Sequence, residues 1–366
     1  SALHPFSELV SSIEEQGLGH AAGLEGGYAA ATLAALSKHQ DKRLLVVTPT
    51  MHSARGMATN LATFGLGGVG QEILVVPAPD VSPYGEITPD RNRVFERLNT
   101  QFRSTMNDDV RVVVLPIQGA MRKMIPWSAV EAATTVISAG ETGVSLDALR
   151  QLLTLGGYNT VRVVEDPGTY AVRGGILDIY CPYDDKPVRI DLFGDEVESI
   201  RRFDPQTQRT LETIESFILV PAREEVLTDA ALARGRRIIR ARGDEIGLPS
   251  AQVNEVVRDL DSGFSFFGIT SLLPALFELQ PALNDLLESA LTVVISPRVL
   301  QDQAQEFWAR RKQEYERILE EGELLAFPPE AFFQSPHLLF EELEDRKPRL
   351  ELHNLAPPGV EPHLFR

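Results

Sequence analysis

Cysteine is almost missing from this sequence: Cys181 stands alone in 366 residues. That excludes an internal disulfide and any metal framework built on cysteine, and it agrees with a reducing, cytoplasmic setting. Long apolar runs are missing too. No stretch approaches the roughly 18–20 residues that span a bilayer, and the opening SALHPFSELV lacks the charged-then-apolar layout of a secretory signal. The expectation is a cytoplasmic protein with no membrane partner. Positive charge is scarce, with 35 Lys and Arg against 52 Asp and Glu, a net charge of −17. Such a surface repels phosphate backbones, which disfavours nucleic-acid binding by this chain alone and points to protein partners. The local exception is RGRRIIRARGDE, where Arg234, Arg236, Arg237, Arg240 and Arg242 gather on a helical pattern. It reads as a solvated face paired with nearby acids.

Catalytic residues are as sparse as cysteine. The seven histidines are scattered, with no H-E-x-x-H spacing, so no zinc protease site and no metal site is expected. Ser, His and Asp are present, but no G-x-S-x-G elbow singles out a nucleophile. Cys181 precedes a proline at a strand end and reads as a packed residue. The nearest approach to a nucleotide site is GLEGGYAAATLAAL, Gly23 to Leu36, a glycine-rich turn opening a helix. Against G-x-x-x-x-G-K-[ST], placing Gly23 first puts Tyr28 on the second glycine, Ala29 on the lysine and Ala30 on the magnesium-holding hydroxyl. The late apolar strand LTVVISPR ends in Ser296, Pro297 and Arg298, where a metal site would need acids. Both halves of an ATPase site are therefore empty. Gly23, Gly26, Gly27, Ala29 and Ala30 form either a degenerate, non-functional phosphate loop or an ordinary turn, and no cofactor is expected.

What is present is a large apolar share, 43%, enough for two or three domains. Leu44–Val47, Ile73–Val76, Val110–Leu115 and Leu291–Ile295 are continuous, β-branched runs of the kind buried in parallel sheets. Helical segments separate the first three, so the chain begins as an α/β domain with a parallel sheet. The fourth run comes much later, and the gap predicts an insertion. Within it, YAVRGGILDIYCPYDDKPVRIDLFGDEVESIRRFDP alternates like an antiparallel meander, with a Gly194-Asp195 hairpin turn. SLDALRQLLTLGG upstream is a helix from Ser145 to Gly156. The boundaries expected are 1–125 and 221–350 for the two parts of the α/β domain, 126–220 for an inserted α+β domain, and 351–366 for a linker or tail.

In the strand VRIDLF, alternation places Val188, Ile190 and Leu192 on one face and Arg189, Asp191 and Phe193 on the other. The first face is core. The second carries an aromatic beside an arginine, residue types enriched at interface hot spots, and Arg173 before Gly174-Gly175 can join them across the ladder. Two readings stand here: a binding face, or a surface pair of Arg189 with Asp191 and a Phe193 covered by the rest of the fold. If the trio faces outward, folding stability should change little when any of the three is truncated.

GTYAVRGGILDIYCP followed by VRIDLFGDEVESIRRFDPQTQRT resembles the signature shared by bacterial nucleotide-excision-repair protein UvrB and the transcription-repair coupling factor (Mfd) family. PAPDVSPYGEITPDRNRVFERL and VLPIQGAMRKMIP resemble the amino-terminal UvrB-homology module of the coupling factors, in which the phosphate loop is degenerate and UvrB's long DNA-clamping hairpin is lacking. The resemblance extends from Gly23 to about Phe340. It implies a degenerate helicase-like (RecA-like) domain, split in sequence, with an inserted UvrA-binding-type domain. It also implies a non-enzymatic adaptor that recruits UvrA to stalled RNA polymerase; the alternative is a UvrB-like, ATP-dependent binder of damaged DNA. Matched through R-G-x-[IL]-L-D and R-[IL]-D-x-F, the family's UvrA contacts fall on Arg173, Arg189 and Phe193. The resemblance further implies that contacts with RNA polymerase and DNA belong to domains absent from these 366 residues.

Overall fold

A computed structural model describes residues 3–364 apart from 71, 86–88, 107–108, 264–265, 267, 285, 288, 323 and 356–362. Among the described residues the largest sheet has seven strands, all parallel, in the order 363–364, Leu18–Ala22, Arg349–His353, Leu291–Ile295, Leu44–Thr48, Val112–Pro116 and Ile73–Val75. The central strands are apolar on both faces because helices cover both. On one side Leu44, Val46, Val112 and Val293 pack against Leu9 and Ile13, Leu33, and Ala54 and Leu61 from three N-terminal helices. On the other, Leu45, Val47, Val113 and Val294 meet Leu300 and Ala304 of the helix Pro297–Glu321 and Leu339 and Leu343 of Pro336–Asp345. This is the expected α/β class.

Three strands of that sheet differ from the sequence expectation. Leu18–Ala22, LGHAA, has no β-branched residue, and only its neighbours hold it extended. Arg349–His353 crosses the boundary drawn at residue 350, because Leu350 and Leu352 are core residues between Leu18–Ala22 and Leu291–Ile295. The expected tail therefore cannot begin at 351. His363–Leu364 adds an edge strand, while residues 356–362 and 365–366 of that tail lie outside the described residues.

Between Val112–Pro116 and Leu291–Ile295 the chain builds a second sheet of six described strands, ordered Thr210–Ile214, Glu196–Phe203, Val188–Phe193, Ile176–Tyr180, Thr169–Arg173 and Asn159–Thr160. All pairs are antiparallel except the last, which is parallel. Ser145 caps the helix Leu146–Leu155, accepting a hydrogen bond from the Ala148 amide, and Gly156 follows its last turn. Leu149 and Leu153 of that helix cover the inner face of the sheet, where Leu177, Ile179, Val188, Ile190 and Ile200 are buried. Phe95 and Phe102 join this core from Arg91–Met106, a helix that also contributes Leu98 to a separate helical core.

The seam between the two sheets holds a buried carboxylate. Glu224 Oε1 accepts from Arg97 Nε at 3.2 Å, and its Oε2 accepts from Arg97 Nη2 at 2.9 Å and from Arg122 Nη2 at 2.8 Å. Burial by itself would raise the Glu224 pKa, but Arg122 and Arg97 outweigh it and hold the group down to about 2. A carboxylate lowered in this way stabilises the folded chain above its unfolded pKa and loses that contribution as pH falls towards its folded value. Glu224→Gln is therefore expected to cost about 3 kcal/mol at neutral pH. The difference in chemical stability between wild type and variant should shrink steadily below about pH 4.5 and nearly vanish near pH 2; a gap constant across this range would show that the ion cluster contributes nothing through charge.

Candidate functional site

The outer face of the six-stranded sheet is set by its registers. Ala171, Asp178, Arg189 and Arg201 lie in one row across four strands, and Arg173, Ile176, Asp191 and Ser199 in the next. Phe193 stands at the end of its strand opposite Glu196, with Gly194-Asp195 as the two-residue turn. The registers bring Arg173, Arg189 and Phe193 to one face of the sheet, with Arg173 and Phe193 towards the same end and Arg189 two rows back from Phe193.

Their environments are not alike. Phe193 is 78% exposed, and the neighbouring Ile176 is partly exposed as well. Arg173 is exposed, and its Nη2 donates to the Arg162 carbonyl at 2.6 Å. Arg189 is anchored: its Nε and Nη2 donate to the two carboxylate oxygens of Asp178 at 2.7 and 2.9 Å, and its guanidinium lies 4.7 Å from the ring centroid of the fully buried Phe203. The hydrogen bonds that Arg189 donates to Asp178 hold its pKa above its ordinary value despite partial burial. The expected pairing of Arg189 with Asp191 is thus replaced. Asp191 instead accepts from Arg201 and, at 2.8 Å, from Ser199. Residues two apart on one strand are about 7 Å from one another, whereas cross-strand neighbours approach to about 5 Å, so ladders win over same-strand pairs.

Sequence reasoning missed Asp178, Ile176 and Arg201. The signal for Asp178 was its place in an otherwise apolar strand, ILDIY, where an acid that is nearly fully buried must have a partner. The turn that presents Arg173 is equally constrained. Gly174 has φ of +63°, and a Cβ on Gly175 would stand 2.4 Å from the Leu192 carbonyl oxygen, so that hairpin can approach the Phe193 strand only with glycine there.

The glycine-rich turn lies elsewhere, at the C-terminal end of Leu18–Ala22, and leads into the helix Gly26–Gln40. The Gly23 amide donates to the His353 carbonyl at 3.2 Å. Glu25 precedes the helix in extended conformation, placing a carboxylate beside the helix N-terminus. Ala29 and Ala30 are buried in the same core as Leu33 and Leu44. Ser296, at the strand end expected to lack acids, donates through its hydroxyl to Asn354 Oδ1 at 2.8 Å and through its amide to the Leu352 carbonyl at 2.7 Å. A cavity of about 650 Å³ does exist, lined among others by Arg122, Tyr158, Glu225, Thr270 and Phe332, but no residue of the glycine-rich turn lines it. Cys181 is buried, and burial pushes its thiol up to about 12. Of the arginine cluster, Arg236 pairs with Asp261 at 2.6 Å, while Arg242 is buried, donating to the Ala326 carbonyl at 2.7 Å and to the Tyr315 hydroxyl. No described helix is long and apolar enough to cross a membrane.

Residues 137–224, which include Arg173, Arg189 and Phe193, match the UvrB interaction domain family. The transcription-repair-coupling factor of Myxococcus xanthus is 36% identical over 278 residues, covering 75% of this chain and 23% of the relative. The chain is a relative of the transcription-repair-coupling factors. Those of Haemophilus influenzae and Escherichia coli are 29% and 27% identical, over 80% and 90% of this chain and 24% and 28% of their own length. The chain therefore spans about a quarter of the length of these curated relatives. The likeness to the Escherichia coli factor, over 90% of this chain, takes in both the parallel sheet and the inserted one.

The geometry separates the three residues by stability. Arg189→Ala leaves Asp178 buried without its cation, so it is expected to cost about 2–3 kcal/mol, below a fully buried pair because Arg189 retains some exposure. This corrects the expectation that all three truncations are neutral. Phe193→Ala should stay within about 0.5 kcal/mol of wild type, as for other exposed positions. Urea titrations of the two variants check both values; equal stability of Arg189→Ala and wild type would mean that the Asp178 pair is not formed in solution.

Proposed function

We propose that this chain is a non-enzymatic adaptor of transcription-coupled nucleotide excision repair, binding UvrA through the outer face of its six-stranded sheet around Phe193. The observation that carries the reading is a 78% exposed phenylalanine that shares a sheet face with Arg173 and Arg189, inside the stretch that matches the UvrB interaction domain. An exposed aromatic has no reason in folding to be there, and aromatic and arginine side chains are the usual anchors of a protein interface. Arg173 and Arg189 would meet acidic groups on the partner, with Arg189 oriented by Asp178 and Phe203. Binding of UvrA here would recruit it to stalled RNA polymerase in the cytoplasm, while any contact with polymerase or DNA would fall to parts of such a protein outside these residues. Residues 126–220 would form the partner-binding domain and 1–125 with 221–350 its α/β support.

Nucleotide chemistry has no support in the loop. The positions that would carry a lysine and a hydroxyl are core alanines, Glu25 adds a negative charge at the helix N-terminus, and Ser296 stands where an acid pair is needed. This disfavours the UvrB-like, ATP-dependent alternative.

Two measurements test the reading. In calorimetric titration with UvrA, Phe193→Ala is expected to weaken binding by about 2 kcal/mol, near 30-fold, with stability unchanged. Arg173→Ala should also weaken binding and flatten its salt dependence. Full-strength binding by both variants would place the UvrA surface elsewhere. The purified chain should show no ATP turnover, and Ala29→Lys should lower the melting temperature without creating nucleotide binding, since it buries a charge in the core; turnover lost on Gly27→Val would overturn the non-enzymatic reading.

A further inference from the structure

The parallel sheet brings together three side chains that the sequence keeps far apart. His20 lies on Leu18–Ala22 directly opposite Glu351 on Arg349–His353, and His353 follows Glu351 by two residues, hence on the same face. His20 Nδ1 is 3.3 Å from Glu351 Oε2, His353 Nε2 is 3.4 Å from the same oxygen, and the two ring nitrogens are 3.2 Å apart. The rings stack with centroids 5.5 Å apart. All three side chains are largely but not fully buried.

We propose that His20, Glu351 and His353 form a binding site for a divalent transition-metal ion of the zinc class, with a fourth position open to water. The geometry argues for it in two ways. A tetrahedral zinc ion with bonds of about 2.0–2.1 Å has ligand atoms about 3.3–3.4 Å apart, and the three distances here match that edge. A single proton between two of these atoms, in contrast, satisfies only one edge of the triangle, whereas a cation near its centre serves all three lone pairs at once. The donor set of two imidazoles and one carboxylate suits zinc in preference to magnesium or calcium. The second carboxylate oxygen is already supported, since Arg349 Nη2 lies 3.3 Å from Glu351 Oε1, as outer partners of metal-bound carboxylates commonly are.

An ion here would clip an early strand to a late one. His20 and His353 are 333 residues apart in sequence, and the His353 carbonyl accepts from the Gly23 amide at the neighbouring loop. The clip would lock the edge of the parallel sheet and the glycine-rich turn together, with no part in UvrA binding. It is independent of the adaptor reading.

The test uses the whole chain, stripped of metal with a chelator and then titrated with Co²⁺ and Zn²⁺. The visible d–d bands of tetrahedral Co²⁺, saturating at a single ion per chain and displaced by Zn²⁺, are the expected result, together with a rise in melting temperature that a chelator reverses. His20→Gln and His353→Gln should each weaken Zn²⁺ binding by more than about 100-fold, exceeding the usual loss for an outer partner, and His52→Gln, an exposed histidine outside the cluster, should not. Circular dichroism confirms that the variants fold. Absence of the tetrahedral spectrum in the folded wild-type chain overturns the proposal by itself. So does binding that survives both substitutions; either result would make the cluster a hydrogen-bonded strut between strands.

Discussion

The carboxylate of Glu224 is the constraint on which the arrangement of this chain depends. An ionised acid taken out of water is tolerated only where cations and donors surround it, and Glu224 finds them on Arg97 and Arg122, which come from different segments of the α/β part. Because Glu224 follows the last strands of the inserted unit, the ion cluster fixes where the chain leaves that unit. The apolar packing agrees with it. Phe95 and Phe102 lie on the helix that carries Arg97 and enter the core of the six-stranded sheet, and the Phe102 ring sits 6.1 Å from both Trp127 and Tyr183. A single helix thus serves two cores, and the charge cluster at its middle specifies one docking geometry.

With that geometry fixed, the outer face of the inserted sheet is free to be a surface, though not a bare one. Asp178 is buried on it and holds Arg189, Phe203 with Val164 and Ala171 forms a small second core beneath the guanidinium, and Arg201 and Ser199 occupy Asp191. Arg189, Asp191, Ser199 and Arg201, on the same face as Phe193, are each engaged by a cross-strand neighbour. Arg189 has a double part in this, since the same guanidinium that faces outward also neutralises a buried acid.

The glycine-rich turn shows how a nucleotide-type architecture can keep its form while its residues pack as ordinary core. Strand, turn and helix follow one another as they do around a phosphate, but Ala29 and Ala30 contribute to the apolar layer against the sheet, and the Gly23 amide is satisfied by His353. Packing at this helix and phosphate binding place opposite demands on the same side chains.

The sequence by itself determined the class of the fold and the parity of the key strand. Continuous β-branched runs announced four parallel strands because strands buried on both faces need no alternation, and VRIDLF sorted its residues onto two faces because a strand has a period of two. It could not announce LGHAA or RLELH as strands, since neither has the local preference and both are extended through pairing with residues hundreds of positions away. The same limit applied to side chains. The shared face of Arg189 and Phe193 was legible from parity, but the partner of Arg189 was decided by cross-strand register, and the exposure of Phe193 by what the rest of the chain left uncovered. The meeting of His20 with Glu351 and His353 had no trace in spacing at all. Local periodicity is written in neighbouring residues; ion pairs, burial and convergent ligands depend on which distant strands lie side by side, and only the tertiary structure decided that.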